Sequence, residues 1–235
     1  MYKAVLFDLV NTLVRYDPPP EELQGWALGR LGVRVSKQNL RRGFWAANDF
    51  FTRESARLSM EKRSAEEKER VWVEYELTML REAGVNATRE LAAEVMGVVR
   101  TMERRIVLFE DTFPALEALR ARGLRVGLVS NLEMPLDRFC PEVNLDPLLD
   151  FVVISHEVGV EKPHPRIFEF ALERAGAQPS EALMVGDQYH SDVIGAVNAG
   201  ITPLWLDRDN IFAEMFGEDG RFPRISTLQE ILRYV

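Results

Sequence analysis

Residues 5–14 read VLFDLVNTLV, and this stretch decides how the rest of the chain is read. The apolar run Val5 to Phe7 has the texture of a strand buried on both faces, and it stops at a carboxylate, Asp8. Val10, Asn11 and Thr12 follow. A carboxylate at the carboxyl end of a buried parallel strand lies where such sheets bind ligands. It can act as a nucleophile or as a ligand for a hard cation.

Beyond this stretch the texture changes. Residues 16–105 carry helical spacing throughout and no strand-like alternation, so a helical bundle inserted as one unit is expected there. Pro18 to Pro20 favour a helix start, Ser36, Ser64 and Thr88 stand where N-caps belong, and Gly32 and Gly84 where helices end. Phe44, Trp45, Phe50 and Phe51 are expected in the bundle core.

From residue 106 the chain alternates. TFPALEALRARG and PRIFEFALERAG read as helices, as does DVIGAVNAG; LRVGLVSN, DFVVIS, ALMVGD and ITPLWLD read as strands. Residues 1–15 and 106–235 are therefore expected to form one α/β domain, a parallel sheet covered on both sides. Asp8, Ser130 with Asn131, and Asp187 end their strands and should meet at one rim.

Bulk properties narrow the partners. The 235 residues carry a formal net charge of −8, which disfavours nucleic acid and anionic membrane as partners. Cys140 is the single cysteine, so neither an intramolecular disulfide nor a thiolate zinc cluster is available, and burial as a small apolar side chain is expected. Asp8 breaks the N-terminal apolar run, and no segment approaches the roughly 20 apolar residues of a membrane span. The expectation is a soluble, cytoplasmic protein acting on a small molecule; oligomeric state is left open.

Several residues can carry chemistry. Thr12 and Ser130 offer hydroxyls and Asn131 an amide for orienting an oxyanion. Lys162, before a proline expected to start a helix, supplies a compact positive charge. Asp187 and Asp192, in GDQYHSD, add carboxylates facing Asp8, an oxygen-rich set matched to Mg²⁺. Carboxylate, lysine, hydroxyls and Mg²⁺ together make a phosphoryl-transfer kit. Each piece also has an ordinary structural reading, Asp192 as an N-cap for example.

The ordered set FDLVNTLV, LVSN, EKPHPRIF and GDQYHSD resembles the four motifs of the haloacid dehalogenase superfamily of hydrolases. The helical insertion after the first motif resembles that family's C1-type cap. The resemblance implies a Rossmann-like core, an aspartyl-enzyme intermediate and a mobile cap. It also implies that Asp8 is the nucleophile and, with the Val10 carbonyl and Asp187, a Mg²⁺ ligand, and that Asp192 holds the metal's shell. Thr12, Ser130 and Lys162 would hold the phosphoryl oxygens, and Asn131 would shape the site beside Ser130.

Val10 departs from the pattern. Phosphatases of the family usually carry there a second aspartate that protonates the leaving alcohol and later activates water. Such general acid–base catalysis contributes roughly 10²–10⁴-fold. Three readings follow. One is a Mg²⁺-dependent phosphatase whose substrate needs little leaving-group protonation, such as an acyl phosphate, or whose acid comes from His190, His164, Tyr189, Glu133 or Asp17. Another is a 2-haloacid dehalogenase, since halide departs without a proton; Arg41 or Arg42 would then match that branch's substrate-binding cap arginine. The acidic Asp187 and the presence of Phe168 speak against it. The third is a weak or inactive homologue that binds a phosphorylated ligand. A Schiff-base lysine in the insertion (Lys37, Lys62 or Lys68) ranks last.

Overall fold

The computed structural model describes residues 1–145, 147–210 and 220–235. The chain runs β1 (Ala4–Phe7), β2 (Val14–Asp17), α1 (Pro20–Arg30), α2 (Lys37–Arg57), α3 (Ala65–Glu82) and α4 (Arg89–Arg100). It continues through β3 (Arg105–Leu108), α5 (Thr112–Ala121), β4 (Arg125–Ser130), α6 (Leu136–Phe139), β5 (Phe151–Ile154), α7 (Ser155–Val158) and α8 (Pro165–Ala175). The last elements are β6 (Ala182–Gly186), α9 (Gly195–Asn198), β7 (Thr202–Leu206) and β8 (Arg224–Ile225). Two compact units result, one from Met1–Arg15 with Ile106–Val235 and one from Tyr16–Arg105.

The first unit is built on a six-stranded sheet in the order β5-β4-β1-β6-β7-β8, with every neighbouring pair parallel. Its strands are apolar on both faces because both faces are covered. Val5 and Phe7 of β1 point into a core shared with Ala115, Leu116 and Leu119 of α5 and with Leu228 and Ile231. Ala4 and Leu6 point the other way, toward Ile167, Phe168 and Ala171 of α8. Side chains alternate along a strand, so one short run supplies both cores. Strand order reverses at β1: β4 and β5 lie on one side, β6 to β8 on the other. In such sheets the crevice at the reversal is the ligand site.

Sequence reading missed three strands. β2 and β3 pair as a separate two-stranded sheet, and two-residue β8 adds an edge to the six-stranded one. Charged residues interrupt the apolar run in β2 (VRYD), one opens β3 (RIVL), and β8 is only two residues long. DVIGAVNAG also differs from expectation: residues Tyr189–Ile194 form a π-helical turn, and only Gly195–Asn198 is α-helical.

The second unit is helical. Ser36 and Thr88 cap α2 and α4, and Ser64 forms a reciprocal capping box with Glu67 at α3. Gly43 lets α2 approach α3 closely, since a Cβ there would lie 2.2 Å from the Met79 carbonyl oxygen. Its core is aliphatic, made by Leu28, Leu40, Ala47, Leu77 and Leu80. The aromatic expectation is corrected: Phe44, Trp45, Phe50 and Phe51 are only half-buried, and Phe51 stacks on exposed Trp72 with centroids 5.0 Å apart. Cys140 is buried. Among the described residues no helix is long and apolar enough to cross a membrane.

Candidate active site

Three adjacent strands, β4, β1 and β6, deliver the site. Asp8 follows β1, Ser130 ends β4 and Asp187 follows β6. Their registers pair Phe7 with Leu128 and with Val185, so the three strand ends lie side by side. Lys162 enters from the loop before α8, and Asp192 from the π-helical turn after β6. The proline after Lys162 ends in a turn rather than starting the helix as the sequence implied; Pro165 does that, behind the His164 cap.

Lys162 is the centre of the charge pattern. Its Nζ donates to Asp8 Oδ1 at 2.6 Å and to Asp192 Oδ1 at 2.7 Å, and all three residues are buried. Ser130 Oγ donates to the same Asp8 oxygen at 3.3 Å. Burial opposes the Lys162 ammonium, but Asp192 and Asp8 outweigh it and push its pKa up. Charge-assisted bonds of this length in a dry site are strong ones.

The opposite charge is in excess. Carboxylate oxygens of Asp8, Asp187 and Asp192 all lie within 4.8 Å of one another, against one ammonium. Burial, then the facing charges of Asp8 and Asp192, raises the Asp187 pKa well above the usual carboxylate range. Burial also pushes Asp192 up to about 6, although Lys162 pulls it down. Three hard oxygen donors with surplus negative charge fit a divalent cation.

Other residues hold this group in place. Thr12 is fully buried, and its hydroxyl is turned to Asp187 Oδ1 at 3.4 Å. The Asn11 amide reaches Asp187 Oδ2 at 3.5 Å from a left-handed backbone position. Trp205 Nε1 donates to the Asp187 carbonyl at 3.0 Å, and the Gln188 N–H donates to Asp192 Oδ2 at 3.0 Å. Gly186 makes room for Asp192: a Cβ at that position would stand 2.2 Å from its Oδ2. Sequence reading missed Trp205 and Gly186. The glycine directly before Asp187 was the available signal.

Asn131 pairs with the Lys162 main chain, its Oδ1 accepting from Lys162 N at 2.7 Å and its Nδ2 donating to Lys162 O at 3.0 Å. Val10 is half-buried and bridges Val14. In the helical unit Arg41 Nε donates to Glu21 at 3.2 Å and Arg42 Nε to the Glu82 carbonyl at 3.1 Å. Among the proposed substitute acids, Asp17 is paired with Arg105, and His164 Nδ1 accepts from Arg166 N at the start of α8. Tyr189 packs against His190 and Trp205, and Glu133 is exposed. Phe168 is fully buried in the core.

A family model described as haloacid dehalogenase-like hydrolase matches residues 2–200. Among curated proteins, the chain is 36% identical over 107 residues to a glyceraldehyde 3-phosphate phosphatase of Methanothermobacter thermautotrophicus, covering 45% of this chain and 47% of that one. The chain spans about half the length of the curated relatives it matches. Among solved structures, it is similar to an HAD phosphatase from Thermococcus onnurineus with 25% identity and a TM-score of 0.52, covering 99% of this chain and 97% of the other. It is also similar to a 2-haloacid dehalogenase from Pseudomonas syringae pv. Tomato, with 25% identity, a TM-score of 0.55 and 100% of both chains covered.

Proposed function

This chain belongs to the haloacid dehalogenase-like hydrolases, and we propose that it is a Mg²⁺-dependent phosphatase working through an aspartyl-phosphate on Asp8. Its substrate is a small phosphorylated molecule whose leaving group departs without needing a proton. The carrying observation is the surplus of buried carboxylate around Asp8, three against one lysine. Mg²⁺, when bound, neutralises phosphoryl oxygens and leaves room for water in its shell. Asp8, Asp187 and the Val10 carbonyl would hold it, with Asp192 behind them.

Asp8 attacks phosphorus, forming the carboxyl–phosphate bond as the bond to the leaving oxygen breaks. Lys162 and the Ser130 hydroxyl stabilise the charge that gathers on the phosphoryl oxygens. Water then cleaves the acyl phosphate, releasing inorganic phosphate and restoring Asp8. Thr12 serves by orienting Asp187, and Asn131 by holding the Lys162 main chain next to Ser130. The Val10 side chain offers no proton in either half-reaction, so acyl phosphates and other esters of acidic leaving groups are the preferred class.

Val10 equally favours a second reading, dehalogenation of a 2-haloacid. The buried Asp187 and Asp192 weigh against it, because without a metal ion the one Lys162 ammonium leaves surplus negative charge beside Asp8 that repels an anionic haloacid. One panel separates the readings: p-nitrophenyl phosphate, acetyl phosphate and L-2-chloropropionate, each with and without Mg²⁺. Mg²⁺-dependent phosphate release, fastest from acetyl phosphate, supports the proposal. Metal-independent chloride release replaces it with the second reading. No turnover of any substrate leaves a phospho-ligand-binding homologue.

A further inference from the structure

An arginine outside all four motifs grips the turn that carries the first of them. Arg208, just after β7, forms a two-point ion pair with Asp111: Nη1 to Oδ2 and Nη2 to Oδ1, both 2.9 Å. Nη2 makes a further bond, to the Thr12 carbonyl at 2.7 Å. The guanidinium lies over the Phe109 ring, 3.8 Å from its centroid. Asp111 is anchored in turn, since its Oδ2 accepts from the Leu228 N–H at 2.9 Å. The pair is mostly withdrawn from solvent, with side chains 16% and 12% exposed.

The neighbouring carbonyl is held as well. Leu13 O accepts from the Phe109 N–H at 3.1 Å and from the Thr112 hydroxyl at 2.7 Å. The turn after Asp8 is therefore pinned at two successive carbonyls, one of them by a charged group. Thr12, whose carbonyl Arg208 holds, points its hydroxyl at Asp187. A planar guanidinium can pair with a carboxylate, stack on a ring and reach a carbonyl at once; an ammonium is a single point charge and cannot.

We propose that Arg208, gripped by Asp111, is a positioning residue that holds the turn following Asp8 and, through Thr12, the Asp187 carboxylate. The proposal rests on reading Asp8 and Asp187 as the working carboxylates, but the brace itself is testable without turnover.

The test compares Arg208→Lys with Ile231→Ala, a truncation in the core cluster that also holds Leu9, Leu13 and Val14 but one that removes none of the hydrogen bonds to Thr12, Leu13 or Asp187. Three quantities are read: amide hydrogen exchange of residues 9–14, Mn²⁺ affinity by direct titration, and kcat against KM on acetyl phosphate. In Arg208→Lys the turn amides exchange faster and Mn²⁺ binds several-fold more weakly. Its kcat falls on the order of 10- to 100-fold with KM nearly unchanged, the scale of a small misplacement of reacting groups. Ile231→Ala lowers the melting temperature without these changes. Turn exchange and Mn²⁺ affinity that match Ile231→Ala would overturn the proposal and leave Arg208 a structural staple. Should Arg208→Lys not fold, Asp111→Asn is read by the same criteria. Should the wild type bind no Mn²⁺, the metal reading fails and exchange alone decides: faster in the turn supports the brace, unchanged overturns it.

Discussion

Lys162 Nζ donates to Asp8 Oδ1 at 2.6 Å although the two residues are 154 positions apart in the chain. Lys162 also holds Asp192, so one ammonium is shared between two buried carboxylates. Removing one member of a buried ion pair costs about 3–5 kcal/mol, because the remaining charge is left uncompensated. Lys162→Met should therefore destabilise the metal-free protein by about that amount. Turnover should drop on the order of 100-fold or more. Adding Mg²⁺ should restore part of the melting temperature and none of the rate. A variant as stable and as active as the wild type would remove Lys162 from the site's function.

Asp187 carries the opposite imbalance. Burial and the charges of Asp8 and Asp192 raise its pKa, so its folded value lies above its unfolded one. Such a group contributes stability below the unfolded pKa and loses that contribution as pH rises through the folded value. Asp187→Asn should stabilise the metal-free protein at pH 8 by about 1–2 kcal/mol, a rise of several degrees for a chain of this size. On the Mg²⁺ reading, metal should raise the wild-type melting temperature and leave that of Asp187→Asn unchanged. Thermal melts at two pH values, with and without metal, check both.

Val10 tests the proton account. Val10→Asp should raise turnover of p-nitrophenyl or alkyl phosphates about tenfold or more, at the lower end of general acid–base contributions. Acetyl phosphate should gain less, since its leaving group needs little protonation. An equal or lower rate on both would count against the missing relay.

Glu76 gives a pH prediction for the helical unit. Burial pushes its pKa up from 4.5 to about 7, opposed by the hydrogen bond it accepts from Gln24 Nε2 at 2.9 Å. The sign is that of a raised carboxyl: stability is full below about pH 4.5 and falls until the pH passes about 7. The loss is on the order of 3 kcal/mol. Glu76→Gln, uncharged throughout, should flatten the dependence and be the more stable form at pH 8. Urea melts between pH 4.5 and 8 measure it; parallel curves for the two proteins would contradict the assignment.

Gly186→Ala should disturb the acidic cluster without touching a charge. The added Cβ would stand 2.2 Å from Asp192 Oδ2, so that carboxylate must move. Weaker Mg²⁺ dependence in a folded protein is the expected result, read as a higher half-saturating concentration. An unshifted Mg²⁺ titration would mean that Asp192 has room elsewhere.

The fold class was legible because its signals are local. Val5 to Phe7, Val126 to Val129 and Leu183 to Val185 are short apolar runs, and α5 and α8 between them keep a helical period. The acidic and hydroxyl residues at the ends of those runs could be placed at one sheet edge for the same reason. Less visible were Trp205, which holds the Asp187 carbonyl, and Arg208, which holds that of Thr12. Neither belongs to a pattern in its own segment.

The amino-acid order alone determined that Asp8, Ser130 and Asp187 each close an apolar run, because burial is written into a few consecutive residues; that β4, β1 and β6 are neighbours came from the sheet order. Only the tertiary structure decided what each polar group does with its hydrogen bonds. Thr12 turns to Asp187, Asn131 takes the Lys162 main chain, and Lys162 is divided between Asp8 and Asp192. Those choices depend on which loops the folded sheet brings within 3 Å or so of one another. Residues 31 or 154 positions apart carry no mark in the sequence of being partners.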